Sequence, residues 1–323
     1  MSGFSFSLRE ADPPSAVVAI GSRQVSAASF EWRGAGLAVR AHASEVLPEG
    51  ALTPSLNAEN VRDRAIVQSA VRSVLERIGR PRRIGLVIPD PVAKVSLVKF
   101  EQVPARVQDL EQLIRWQVKK SVPFAIDDAQ VSYAAGIRGS EGQEFLVTCA
   151  RREAVLEYED LCQDAGAHAG IVDLSTLNVT NMVLASSPGL GAADWLLINI
   201  GPEWASTVII RNGSVILFRS RGIDGDDTLA ELAYQSTMYF EDRLAGAGFA
   251  RVVLAGASHA PAHGASDAPA LRRDLQERLG ADVQMIDPMS AAALTDRITA
   301  GPDVIDALAP LVGMALRGRE AVA

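Results

Sequence analysis

The stretch Asn199-Ile200-Gly201-Pro202-Glu203 decides the fold, because it joins two apolar runs that are rich in β-forming residues. One run, Trp195-Leu196-Leu197-Ile198, precedes it, and residues 206–210 follow it. The second run then passes through Asn212-Gly213 into a third apolar run at 215–218. The pattern strand, glycine turn, strand, Asn-Gly turn, strand is typical of an antiparallel three-strand meander.

The same plan occurs near the N-terminus. An apolar run at 16–20 leads into the turn signal Gly21-Ser22, and a second strand begins near Val25. A strand that ends in a glycine turn and folds straight back can present backbone N–H groups to an anion. After each meander the chain alternates between helical and strand patterns, which is typical of an α/β protein. Two such units predict two similar halves that face a cleft.

Composition indicates an ordinary globular protein with room for two domains. The chain has 323 residues, of which 48% are hydrophobic and 22% charged. Its net charge of −8 gives the whole molecule no field that attracts nucleic acid. Its apolar runs are much shorter than the roughly 20 residues of a membrane helix, and residues 1–10 lack the pattern of a signal peptide. We therefore expect a cytoplasmic protein, with Cys149 and Cys162 reduced in its core.

The same patterns predict the domain organisation. Residues 1–14 form a flexible arm, residues 15–188 a first lobe and residues 189–323 a second lobe. Within the first lobe, a β-α-β-β unit is inserted at about 90–147. In the second lobe, a single helical pattern leads straight back to a strand, so the corresponding small unit is reduced to about 226–249.

Several short motifs, in order, resemble the PilM family of type IV pilus assembly proteins, which belongs to the actin-like ATPase superfamily. A helical pattern ends in Val122-Pro123-Phe124 and is followed by Asp127, as in that family. Further matches are Ile171-Val172-Asp173, Arg211-Asn212-Gly213 and the stretch from Ala309 to Gly318. The plan is also similar to the cytoplasmic domain of GspL-like type II secretion proteins, which continue into a membrane helix.

The resemblance implies an α/β, actin-like (ribonuclease-H-type) two-lobed fold in which each lobe has a mixed sheet with a three-strand meander plus helices. It also implies a scaffold in an inner-membrane assembly platform, attached to the membrane through a partner. That partner would be a PilN-like inner-membrane protein, whose cytoplasmic N-terminal tail this chain would bind. Other implied partners are further components of the pilus or secretion platform and a possible second copy of this chain. The candidate tail contacts are Ile114, Arg115, Val118 and Phe124, on and just after the helix of the inserted unit. The alternative is that these side chains pack in the core.

A nucleotide cleft is implied as well, but in a degenerate form. Actin-like enzymes carry an acidic residue before each turn glycine, where it organises Mg²⁺ for phosphoryl transfer. Here those positions hold Ala19 and Asn199, while Pro202 removes a backbone donor and Glu203 repels phosphate. We therefore predict a pseudo-ATPase with no catalytic residue, no metal site and no bound ATP or Mg²⁺. The residues that line the vestigial cleft are Gly21, Ser22, Asn199, Gly201 and Gly256.

Two alternatives remain open. The chain could be an active Mg-ATP-binding ATPase that uses unusual ligands such as Asn199, or an actin homologue that forms filaments. Asp224, Asp226 and Asp227 could ligate a cation, although carboxylates also favour a helix N-terminus for electrostatic reasons. Residues 255–268, rich in Ala, Gly and Pro, predict a solvated loop.

Overall fold

A computed structural model describes residues 13–34, 36–186, 193–223, 229–295 and 301–317. The helices in these ranges are α1 (Arg64–Arg77), α2 (Val107–Val118), α3 (Arg152–Asp164), α4 (Ser175–Ser186), α5 (Leu229–Leu244), α6 (Ala268–Leu279) and α7 (Pro302–Ala315). The strands are β1 (Ala16–Ile20), β2 (Gln24–Arg33), β3 (Gly36–Val46), β4 (Arg83–Ile88), β5 (Ala93–Phe100), β6 (Ala129–Gly139), β7 (Gly142–Arg151), β8 (His168–Leu174), β9 (Trp195–Ile200), β10 (Trp204–Arg211), β11 (Ser214–Gly222), β12 (Arg251–Ala255), β13 (Val283–Met285) and β14 (Ala292–Leu294).

Two of the three sheets repeat one plan, as the sequence predicts. In the first sheet, of order β14-β3-β2-β1-β4-β8, the meander β1-β2-β3 is antiparallel and β4 returns parallel to β1. In the second, of order β11-β10-β9-β12-β13, β9-β10-β11 is the antiparallel meander and β12 returns parallel to β9. The two glycine turns therefore follow equivalent strands, β1 and β9.

Helices α4 and α7 lie between the two sheets and share one apolar core with both. Val17 from the first sheet, Leu197 from the second, Met182 from α4 and Leu311 from α7 belong to this core. The other face of the first sheet is covered by α1 and α3, and that of the second by α5 and α6. Burial of apolar faces on both sides of each sheet accounts for the layered arrangement.

The inserted unit forms a third, antiparallel sheet of order β5-β7-β6, packed against α2. Its order of elements confirms the predicted β-α-β-β unit. Helix α2 begins at Val107, since residues 101–106 are irregular and Arg106 is the N-cap without a side-chain cap. Along β7, Val147 and Cys149 point toward α2, whereas the alternate residues face the first lobe.

Two features of the structure differ from the sequence expectations. Strand β14, from the second half, pairs parallel with residues 37–39 of β3 and so extends the sheet of the first half. The prediction of a solvated loop at 255–268 is wrong: residues 257–263 form a 3-10 helix between the left-handed glycines Gly256 and Gly264. The small side chains of Ala257 and Ala260 are buried there, so the segment packs against the protein although it has no large apolar side chain.

Some predictions fall outside the described residues. These are the arm at 1–12, the boundary at 188/189 and the cluster Asp224, Asp226 and Asp227, all of which stay predictions. Among the described residues, no helix combines the length and apolarity required to cross a membrane. The same residues contain no group of three or more His, Cys, Asp or Glu placed to hold a metal ion.

Candidate functional site

The five predicted cleft residues come together between the two sheets. Gly21, Ser22, Asn199, Gly201 and Gly256 all line one cleft of about 120 Å³. The cleft lies where β1, β9 and β12 end, because the carboxyl ends of these strands meet at the same edge of their sheets. The structure thus brings the five residues together, and the contacts around them show how the cleft is built.

One backbone donor in each glycine turn, that of the glycine itself, is used inside the turn. Gly21 N donates to the carbonyl of Gln24 at 2.8 Å, and Gly201 N donates to the carbonyl of Trp204 at 2.9 Å. A Cβ on Gly201 would lie 2.3 Å from the indole of Trp204, which is 5% exposed. Glycine is therefore required here by the packing of Trp204, independently of any approach by phosphate.

Glu203 spans the cleft from the second turn to the first. The hydroxyl of Ser22 donates to one carboxylate oxygen of Glu203, and Arg23 Nε donates to the other at 3.2 Å. Arg23 also pairs with Glu49 at 3.1 Å. A carboxylate of the protein thus contacts Ser22 and Arg23 of the first turn, which places the negative charge of Glu203 beside that turn.

A second carboxylate fills the loop after β12. Gly256 N and Ser258 N donate to the two carboxylate oxygens of Asp306, on α7, at 3.0 and 2.7 Å. Gly256 has φ +76°, and a Cβ there would lie 1.9 Å from the carbonyl oxygen of Ile200. The loop therefore has the backbone donors of an anion site, and the chain satisfies them itself.

Asn199 belongs to a buried polar network centred on Asp90. Its Nδ2 donates to Thr176 Oγ1 at 2.7 Å. Thr176 donates to Asp90 through its hydroxyl and through its backbone N at 3.0 Å, and Ser206 donates through its hydroxyl. Burial raises the pKa of the Asp90 carboxyl to about 6, against the opposing effect of these donors. An aspartate at 199 would lose the amide donor and add a second carboxyl to this network.

Sequence reasoning missed Asp90 and Asp306. The available signal for Asp90 was its position two residues after β4, at the strand edge shared with the glycine turns. Asp306 lies 50 residues from Gly256, and no local pattern connects them.

The two histidines of the 3-10 segment also face this cleft region. His263 Nε2 donates to the carbonyl of Gly201 at 2.6 Å, and His259 lines the cleft. Burial lowers the pKa of both imidazoles. The segment therefore holds neutral histidines against the second glycine turn.

A larger cavity, of about 410 Å³, lies between the inserted sheet and the first lobe. We call it the groove. It is bordered by β8, the edge strand of the first sheet as described, by α3, and by the face of the inserted sheet that points away from α2. Its lining is small and mixed in polarity: Ile88, Ala93, Gln130, Ser132, Thr148, Ala150, Arg152, Val155, Leu156, Glu159, Ala169, Gly170, Val172, Asp173 and Leu174.

The candidate tail contacts on α2 lie on the opposite side of the inserted sheet from the groove. Ile114 and Val118 are 0% and 2% exposed in the core of the unit, so the structure assigns both to packing. Phe124 packs partly exposed against the same core. Arg115 donates to the carbonyl of Ile126 at 3.1 Å, and a partner role for it and for Phe124 stays a prediction.

Comparisons with known proteins agree with the fold. The structure resembles a solved PilM–PilN type IV pilus biogenesis complex, with TM-score 0.79 and 19% identity over 95% of this chain and 99% of that one. It also resembles the cytoplasmic domain of EpsL, an inner-membrane component of the type II secretion system of Vibrio cholerae, with TM-score 0.50 and 9% identity over 94% and 95% of the chains. A third similar structure is that of a Bacteroides thetaiotaomicron protein of unknown function with an actin-like ATPase fold. Its TM-score is 0.47, with 10% identity over 88% of this chain and 96% of that one.

The likeness to the PilM–PilN complex confirms the predicted mixed α/β fold class. No curated protein sequence matches the chain. A model of the family described as type IV pilus assembly protein PilM matches residues 18–245, which is more than half of the chain. This protein therefore belongs to the PilM family of type IV pilus assembly proteins.

Proposed function

We propose that this protein is a scaffold of a pilus assembly platform that holds the cytoplasmic tail of a PilN-like inner-membrane protein in the groove. The observation that carries the proposal is the contrast between the two cavities. The groove, of about 410 Å³, opens along an edge strand, whereas at the cleft, of about 120 Å³, the Ser22 hydroxyl already binds Glu203 and the amides of Gly256 and Ser258 already bind Asp306. The solved PilM–PilN complex makes a PilN-like tail the first peptide to test.

An extended peptide suits the groove for a reason of backbone chemistry. Strand β8 pairs with β4 on one side, and in the described sheet its other edge has no neighbouring strand. An edge strand offers N–H and C=O groups that can pair with an added strand, while pockets beside it accept alternate side chains. Residues 169, 170, 172 and 173 of β8 line the groove, so both faces of the strand border it. The tail would thereby tie this protein to the inner membrane.

The cleft does not suit Mg-ATP. Ligand sites for molecules of drug size occupy about 300–1,000 Å³, more than this cleft offers. Phosphoryl transfer also depends on cations and donors that neutralise the phosphates. Here Asn199 donates into the buried network, while Glu203 and Asp306 add negative charge where phosphate would lie. We therefore infer a degenerate cleft that closes the lobes on one another without nucleotide.

Calorimetry with a synthetic peptide that copies the N-terminal tail of a PilN-like protein tests the proposal. Ser132 is exposed on β6 and lines the groove, so Ser132→Arg places a long charged side chain in the path of the peptide. Ala134 is also exposed and lies on the same face of β6, outside the groove lining, which makes Ala134→Arg the matched control. We expect about tenfold weaker binding for S132R, or roughly 1.4 kcal/mol, and wild-type affinity for A134R. Absence of tail binding by folded wild-type protein, or equal binding by S132R, would overturn the groove assignment.

Thermal unfolding with and without Mg-ATP tests the degenerate cleft. We expect no change at millimolar nucleotide. A ligand present at about 100 times its Kd would stabilise the fold by roughly 2.7 kcal/mol, so a shift of that order would instead favour the active ATPase. Sedimentation at rising protein concentration tests the filament-forming alternative, for which the mass would grow without limit; a second copy bound in a closed dimer would stop at twice the mass.

A further inference from the structure

Helix α7 connects the cleft to the groove. Near its start, Asp306 accepts hydrogen bonds from Gly256 and Ser258 in the loop beside the cleft. Just after its end, Arg317 donates to the carboxylate of Asp173 on β8, which lines the groove. The eleven residue steps from Asp306 to Arg317 span roughly 16 Å at the helical rise of 1.5 Å per residue. One rigid element therefore has a polar attachment at each cavity.

The packing along α7 leaves it little room to move independently. A Cβ on Gly313 would lie 1.8 Å from the carbonyl oxygen of Asn178, so α7 and α4 are in backbone contact there. A Cβ on Gly85 would lie 2.3 Å from Met314 Sδ, which shows an equally close approach to β4. Since interiors are packed at crystal-like density, a displacement of α7 must be shared by these neighbours. Helix α4, which contacts α7, begins at the residue after β8. A displacement of α7 therefore reaches the edge strand β8 through α4.

The attachment at the groove matters for the state of β8. The side chain of Asp173 is 15% exposed, and that of Arg317 is 46% exposed. Without the guanidinium, a mostly buried carboxylate would keep only the donor of the adjacent Leu174 N at 2.8 Å. Removing one partner of such a pair leaves the other charge poorly compensated. The conformation of β8 is therefore sensitive to the position of Arg317.

We propose that α7 couples the two cavities, with Asp306 and Arg317 as positioning residues that keep the edge of β8 ready for the partner tail. This coupling rests on the proposed function, because it concerns the groove in which the tail is proposed to bind. Release of the Asp306 carboxylate from the loop at Gly256 loosens α7 at the cleft, and the change reaches β8 through Arg317 and through α4. By linkage, a tail bound at β8 strengthens the attachment of Asp306 by the same free energy.

Hydrogen exchange on the intact protein tests the coupling without any peptide. In Asp306→Asn, we expect the backbone amides of residues 168–174 to exchange at least fivefold faster, the lower end of typical coupling between sites. Asp303→Asn is the matched control: it lies on the same helix and lines the cleft, and the described residues give it no hydrogen-bond partner. Unchanged exchange at 168–174 in D306N, or equal acceleration in D303N, would overturn the proposal.

Arg317→Gln provides the reverse measurement and covers the case in which D306N unfolds. We expect faster exchange at the amides of Gly256 and Ser258, which face the other end of α7. With the tail peptide, D306N and R317Q should each weaken binding at least fivefold, and their effects in the double variant should not add. Additive effects would contradict the coupling. If wild-type protein binds no tail, the proposed function fails, while the exchange measurements still decide whether α7 connects the two cavities.

Discussion

Asp90 predicts an unusual pH dependence of stability. Its carboxyl is 0% exposed and accepts hydrogen bonds from Thr176 and Ser206, and its pKa rises from 3.8 to about 6 because burial penalises the charged form. The folded pKa exceeds the unfolded one, so between these values the folded protein binds a proton that the unfolded chain does not. Stability is then gained as the pH falls through this window and lost as the pH rises through it, the reverse of an ion-paired aspartate.

The magnitude follows from the difference between the two pKa values. A shift from 3.8 to about 6 is roughly 2.2 units, or about 3 kcal/mol at 1.36 kcal/mol per unit. Asp90→Asn keeps the shape of the side chain and removes the titration. About 2.4 kcal/mol of this change falls between pH 4 and pH 7.5, so the free energy of unfolding of D90N minus that of wild type should rise by that amount over this range.

Urea denaturation at several pH values gives these free energies directly. Asp128→Asn serves as control, because Asp128 is exposed and its side chain accepts no hydrogen bond described here. Its difference from wild type gives the baseline for removing an exposed carboxylate. A flat difference for D90N, or one that falls with rising pH, would refute the reasoning. A flat difference would mean that the Thr176 and Ser206 donors balance the cost of burial, and a falling one that they outweigh it.

Three further outcomes follow from packing and charge. Ile114→Ala should lower the free energy of unfolding, measured with urea, by about 2–5 kcal/mol. The control is Trp116→Ala: this side chain is 62% exposed, so its loss should change the free energy of unfolding by about 0.5 kcal/mol or less. Equal costs for the two variants would contradict the assignment of Ile114 to the core. Gly313→Ala should cost about 1–3 kcal/mol, because the added methyl meets Asn178, and an unchanged denaturation midpoint would show that α4 and α7 separate easily. Glu203→Gln should cost about 1 kcal/mol or less, as its side chain is 47% exposed, and it should leave Mg-ATP unable to raise the melting temperature, since Asp306 still occupies the other loop.

The elements and their order were predictable because they depend on neighbouring residues. The apolar run at 16–20 predicted β1, and the inserted unit was recognised from its helix between strand patterns. Strand β14 was missed, since three residues of Ala-Ala-Leu carry no period, and its pairing partner β3 lies about 250 residues away in the chain. The helical period of α2 showed which side chains are apolar, but the same apolar face can bury a core or bind a partner.

The sequence by itself determined the family, the repeated meander and the two glycine turns that border the cleft, because turn glycines and strand patterns are local properties. Only the tertiary structure decided what occupies the cleft. The carboxylates of Glu203 and Asp306 reach donors that lie 181 and 50 residues away in the chain, so their contacts exist only in the folded protein. The groove has the same origin: it is the space left between an edge strand and the polar face of an inserted sheet, and no single segment encodes it.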